Sequence, residues 1–193
     1  MSHTTRMTRR LAVFVAALTA VGIGSGFASA RSTQGSFRLT STDFTDGKPL
    51  PTADAYAKNG CGGQDISPSL QWTGVPKTAH SLALVMHDPD ARPPKGWTHW
   101  VVYAIAPTVT GFPTNGGHSK GQFMQGKSSF GTLGYSGPCP PVGDPPHHYV
   151  FTLYAVDLPT TTFGPGLDRD GVLTAITGHT LDSATLTGLY QRK

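Results

Sequence analysis

Three stretches of strict alternation, set among turn-formers, constrain most tightly what this chain can fold into. In "HSLALVMHD" (residues 80–88), Leu82, Leu84, Met86 and Asp88 fall on one face. In "THWVVYAI" (residues 98–105), His99, Val101, Tyr103 and Ile105 share a face, and in "HHYVFTLYAVD" (residues 147–157), His147, Tyr149, Phe151 and Leu153 do so. A period of two with apolar residues on one side is the pattern of a strand covering a core. Around these stretches stand most of the chain's 24 glycines and 16 prolines, which leave few segments able to hold a helix.

"SLQW" adds a short strand. The second strand stops soon after Ile105, because Pro107 cannot donate to a ladder. Residues 108–144 read as loop. "LDRDGVLTAITG" reads as one short helix, with Asp168 as cap, Val172, Leu173 and Ile176 on the buried side, and Gly178 as the stop. "ATLTGLYQ" fits a strand or a ragged helix equally. The expected fold is mainly β: an antiparallel β-sandwich with long loops and one or two short helices near the C-terminus.

Residues 1–30 read as a secretory signal peptide. Arg6, Arg9 and Arg10 precede an apolar run from Leu11 to about Gly24, and "ASA" at 28–30 supplies small residues for cleavage. The run is shorter than the roughly 20 residues of a membrane span. Residues 31–193 then form a single domain without a transmembrane segment, exported to the periplasm, the cell envelope or the medium. The formal charge of +4 belongs mostly to the leader: three of 15 basic residues lie there, leaving 12 against 11 acidic ones. A near-neutral domain without a basic stripe excludes nucleic acid as partner.

Cys61 and Cys139 both lie in the exported part. An even count in an oxidising compartment favours a disulfide. Two free thiols or a catalytic cysteine are the alternatives.

The chemistry gathers at strand ends. Asp88 and Asp90 close the first strand and His99 opens the second, so an antiparallel pair brings Asp88 and His99 to one mouth. His147 opens the third strand and reaches the same mouth if that strand runs parallel to the second. Apolar residues behind polar ones make a pocket with a wet rim and a dry floor. The prolines before His147 restrict the loop and lower the entropic cost of holding the histidine. Two histidines, a backbone N–H at Gly137 and the Asp88 carboxylate suit a small zwitterion, such as a phosphate bearing an amine. His148 points to the opposite face. Trp97 and Trp100 read as core or pocket wall, His80, His87 and His118 as surface histidines, and His179 as a cap of the C-terminal segment or a neighbour of the mouth. A metal set of Asp88, His99 and His147 is the rival reading, although no compact ligand motif and no glutamate occur. A serine hydrolase lacks its G-x-S-x-G turn.

Taken together, "DPDARPPKGWTHWVV" and "GYSGPCPPVGDPPHHYVFTLYAVD" resemble the phosphatidylethanolamine-binding protein family, in its bacterial Raf-kinase-inhibitor-like branch. "CGGQDISPSLQWTGVP" and "ITGHTLDSATLTGLY" also resemble that branch, so the similarity spans about Phe37 to Tyr190. It implies a β-sandwich with an anion pocket at one end for phosphate-type head groups. The matching pocket positions are Asp88, His99, Gly137, His147 and Tyr149, with Asp90, Pro140 and Pro141 as scaffold; the cysteine pair of exported members matches Cys61 and Cys139. Two departures stand out: Arg92 replaces the usual proline after D-P-D-A, and His148 replaces the arginine of H-R-Y.

The expectation is a non-enzymatic, exported binding protein for a small phosphate-containing ligand or phospholipid head group, without cofactor or metal. A protein-interaction module inhibiting a protease or kinase, with a partner in the envelope or outside the cell, is the first alternative. A metal-dependent hydrolase on the same Asp/His cluster is the second.

Overall fold

The computed structural model describes residue 1, residues 35–92 and residues 94–193; apart from Met1, the expected signal peptide lies outside the described residues. Among the described residues, no helix is long and apolar enough to cross a membrane.

Among the described residues, nine strands form two sheets: β1 (Arg38–Thr40), β2 (Lys48–Pro49), β3 (Leu70–Thr73), β4 (Ser81–Asp88), β5 (Trp97–Ile105), β6 (Gly111–Phe112), β7 (Met124–Gln125), β8 (His147–Val156) and β9 (Thr180–Tyr190). The larger sheet runs β2-β9-β8-β4-β5-β7 and the smaller β1-β3-β6. All pairings are antiparallel except the two-residue β2–β9 contact, which is parallel.

The core between the sheets holds Leu82, Leu84 and Met86 of β4, Tyr149, Phe151 and Leu153 of β8, and Trp72 and Phe112 of the small sheet. A second cluster joins Ala83, Val101, Tyr103 and Val156 to Val172 of the helix α1 (Arg169–Ala175) and to Ile176, its C-cap. The central strands β4 and β5 are therefore covered on both faces, which explains their nearly continuous apolar run. Each large side chain so buried contributes about 1.5–3 kcal/mol.

Helix α1 starts where expected: the Asp168 carboxylate accepts the Gly171 N–H, satisfying a first-turn donor. Val172 and Ile176 are buried, whereas Leu173 is only half-buried. The chain's end resolves as a strand, because β9 zips along the whole of β8 from His147↔Tyr190 to Val156↔Thr180.

The face expected for β5 needs correction. Register with β4 slips between Met86↔Trp100 and His87↔Thr98, and again between Leu82↔Ile105 and Leu84↔Val102. The first slip leaves His99 as the extra residue of a bulge, and the second falls beside Ala104, whose φ is 51°. Strict alternation would place His99 with Val101 and Tyr103 against α1. The bulges instead leave those two in the α1 cluster, return Ile105 to the inter-sheet core, and set the His99 ring against Tyr149.

Candidate functional site

Strand β4 runs antiparallel to both β5 and β8. The end of β4 and the beginnings of β5 and β8 therefore share one edge of the sandwich. There a cavity of about 410 Å³ is lined by Asp88, Asp90, Arg92, Trp97, His99, Phe130, Pro140, Pro141, Asp144, His147 and Tyr149, with Asn59, Ala91 and Cys139 beside them.

Asp88 organises the rim. It is 2% exposed, and its Oδ2 lies 2.7 Å from His147 Nδ1. Its Oδ1 accepts the Asp90 and Ala91 amides at 2.9 and 3.1 Å, turning the chain at the "DPD" corner. The carboxylate holds the His147 proton on Nδ1 and leaves Nε2 as the other face of the ring, 3.6 Å from Asp144 Oδ2. With Oδ1 accepting two amides and Oδ2 the His147 ring, Asp88 serves as the tautomer anchor of the site.

His99 is fixed from behind in the same manner. Its Nδ1 donates toward the Ser136 and Gly137 carbonyls at 2.8 and 3.1 Å. Burial drives the ring's pKa down to about 4, against the raising effects of the Ser136 carbonyl and the Asp88 charge. His99 is therefore neutral near pH 7, with a lone pair on Nε2. This differs from the expectation of two histidines that both donate to an anion.

Tyr149, between them, meets His99 edge-on at 5.1 Å between ring centroids. Its hydroxyl is buried and has no well-formed hydrogen bond among the described residues. Burial, then the nearby Asp88 charge, keeps the phenol protonated far above its ordinary range. The phenol can donate to an oxygen, whereas the two Nε2 atoms carry lone pairs and accept from a protonated oxygen unless the rings take up a proton.

Gly137 does not play the part expected of it. Its N–H is already donated to Asp65 Oδ1 at 2.8 Å, and it does not line the cavity. The need for glycine is steric: a Cβ would run into the Asp54 carbonyl and the Ala55–Tyr56 peptide. This close approach lets the 136–137 carbonyls reach His99.

Asp90, Pro140 and Pro141 stand at the rim. Burial opposes the charge on Asp90, but the His148 backbone and ring hydrogen bonds outweigh it and hold the carboxyl below its ordinary value. His148 is thus exposed on the opposite face, as expected, but tied to Asp90 at 2.7 and 2.9 Å. Arg92 is exposed at the cavity rim, where its guanidinium lies 4.4 Å over the Trp97 ring. Trp100 belongs to the core. His179 pairs with Asp157 at 2.8 Å, away from the mouth. His87 is half-buried against Thr98 and is not a free surface histidine.

Cys61 and Cys139 form the disulfide, with Cα atoms 5.4 Å apart, and no described cysteine is free. Arg192 fastens the same lip, donating to the Gly60 and Pro140 carbonyls at 2.9 and 3.2 Å.

Sequence reasoning missed Asp144, Phe130 and Asp65. Asp144 has a legible signal, three residues before His147 in "GDPPHH". Phe130, stacked on Tyr56 and edge-on to Trp97 and His99, sits in a stretch without period.

The phosphatidylethanolamine-binding protein family model matches residues 40–191. A UPF0098 protein of Methanothermobacter thermautotrophicus is 49% identical over 135 residues, covering 68% of this chain and 87% of its own. Escherichia coli YbcL is 37% identical over 164 residues, 81% of this chain and 88% of its own. The crystal structure of YbcL, a member of the mammalian PEBP family, superposes with a TM-score of 0.76 over 81% of this chain and 99% of that one. Chlamydia trachomatis CT736 superposes with 0.70 at 34% identity, over 81% and 98%. With the family model spanning nearly all of the described fold, the chain belongs to the phosphatidylethanolamine-binding protein family.

Proposed function

We propose that this protein is an exported, non-enzymatic binding protein whose cavity takes a phosphate-type anion, free or as a phospholipid head group. One observation carries the reading. His99 and His147 each have Nδ1 committed behind the ring, so the two Nε2 sides line one cavity together with the Tyr149 phenol.

A phosphate held there meets a neutral His99. Either a protonated phosphate oxygen donates to Nε2, or the ring takes up a proton on binding. Asp144, with 47% of its side chain exposed at the rim, suits an ammonium group better than the committed Asp88. A phosphoethanolamine-like zwitterion satisfies both ends. Export is supported by the order of the leader and by a disulfide suited to an oxidising compartment.

The test is an NMR titration with O-phosphoethanolamine that follows the histidine ring signals. His99 and His147 should shift together and saturably, and His99→Ala and His147→Ala should each weaken binding at least tenfold in folded protein. Undiminished affinity in both folded variants would refute the assignment. Cell fractionation checks export, which fails if the chain stays in the cytoplasm with its leader intact.

A further inference from the structure

Behind the Trp97 wall lies a second cavity of about 750 Å³, lined by Arg92, Lys95, Lys127, Arg169, His87 and Ser129 among others. Arg92 and Trp97 line both cavities. The charge of this space is unlike that of the chain. Of the 12 lysines and arginines in residues 31–193, four line it, although those residues are otherwise near neutrality. The first cavity has the opposite balance, with Asp88, Asp90 and Asp144 against Arg92 alone.

The carboxylates in the second cavity, Asp168 and Asp170, are engaged. Asp168 Oδ1 caps α1 through the Gly171 N–H at 2.9 Å, and Asp170 pairs with Arg169 at 3.0 Å. Among the described residues, Arg92, Lys95 and Lys127 have no ion-pair partner. The four cations come from three segments: the loop after β4, the loop after β7 and the start of α1. All four line the same space.

The lining is built to hold this arrangement. Arg92 adopts a φ of 45° and stacks on Trp97. Gly96 has a φ of 69°, and a Cβ there would strike the His87 ring and the Asp88 carbonyl, so only glycine lets the Lys95 loop pack this closely. Ser129 Oγ accepts the Thr98 N–H at 2.9 Å, which leaves its own proton to donate. Burial, then the Arg169 charge, holds His87 below its ordinary pKa.

We propose that this second cavity is a separate anion site for a phosphate or sulfate group, held by Lys95, Lys127 and Arg169 with Arg92 as the wall shared with the first pocket. Several cations around one space, with a hydroxyl donor among them, suit a tetrahedral dianion. The site goes beyond the head-group reading and does not depend on it.

The test titrates the purified protein with inorganic phosphate in one arm. The second arm uses dihexanoyl phosphatidic acid below its micelle concentration, and both follow the His87 ring signals. A saturable His87 shift, at least tenfold weaker in Lys95→Ala/Lys127→Ala and retained in His147→Ala, supports the site. The arm in which it occurs tells whether free phosphate or a lipid phosphate is the ligand. A silent His87 in both arms overturns the proposal, and so does a response unchanged in the double variant. Loss of the His99 and His147 response with His87 still responding would refute the head-group pocket alone.

Discussion

Asp54 is the side chain whose replacement should alter the protein's response to pH most. It closes the 3-10 turn Thr52–Asp54, is 2% exposed, and has an Oδ2 without a hydrogen-bond partner among the described residues. The neighbouring Tyr135 hydroxyl donates to its backbone carbonyl and not to its carboxyl. Burial, and then the charge of Asp43, lift its pKa from 3.8 to about 7. Between those values the unfolded chain releases the proton while the folded chain keeps it, so stability falls as pH rises through the window. At about 1.4 kcal/mol per unit, the loss approaches about 4 kcal/mol by pH 8. His99 acts with the opposite sign. Its folded pKa of about 4 lies below the ordinary 6.5, so its contribution is present above that value and is lost as pH falls toward 4, by about 3 kcal/mol. The two effects nearly cancel below pH 6.5 in the unaltered protein. Asp54→Asn removes one of them. An asparagine costs about 1–3 kcal/mol at every pH for its own unpaired amide, so the slope carries the test and the offset does not. Urea unfolding followed by tryptophan fluorescence from pH 4 to 8 should show the variant gaining on the parent by about 4 kcal/mol across the range. Parallel stability curves would refute the buried, protonated carboxyl.

Three further outcomes follow from the same geometry. Reducing the Cys61–Cys139 bridge, which closes a separation of 78 residues, should lower stability by about 4.5 kcal/mol in the chain-entropy model; a urea-unfolding difference below about 1 kcal/mol would count against it. Phosphate-monoester binding at the first cavity should carry a proton with it, because His99 is neutral there. Its affinity should fall about tenfold per unit above the ligand's second pKa near 6, and calorimetry in buffers of different ionisation heat should show proton uptake; pH-independent affinity would contradict the tautomer assignment. Arg192→Ala should weaken that binding severalfold with little change in midpoint, since Arg192 ties the Gly60 and Pro140 carbonyls without lining the cavity; unchanged affinity would make the tie structural only.

What could be read from the sequence was what repeats. The alternation of β4 and β8 located Leu82, Leu84 and Met86 against Phe151 and Leu153, but it brought His147 to the edge of Asp88 only on the condition that β8 runs in the direction of β5, which the shared antiparallel pairing with β4 supplies. The β5 face could not be read the same way, because a bulge leaves no mark on a pattern of period two. Inserting His99 between two pairing registers turns its side chain over, and the composition of "WTHWVV" is unchanged by it. Gly137 shows the same limit. A glycine in a loop signals a close approach, but not whether the amide is left free or the chain merely needs the space. Here Asp65, 72 positions away, takes the amide.

The loop that carries no period is nevertheless the part that builds the rim, and it is restrained from three directions. The disulfide holds Cys139, Arg192 holds the Pro140 carbonyl, and Asp65 holds the Gly137 amide. Between those ties and His147, prolines at 138, 140, 141, 145 and 146 limit φ. A loop of that length would otherwise lose backbone freedom at about 1–2 kcal/mol per residue on closing over a ligand. Held in place beforehand, it loses little, and more of each contact is left for affinity. On the proposed reading, Pro138, Pro145 and Pro146 act on binding from outside the cavity, while Pro140 and Pro141 also line it. By this reasoning, cutting any one tie loosens His147 and the Ser136–Gly137 carbonyls together, and affinity falls although every cavity-lining residue is still present.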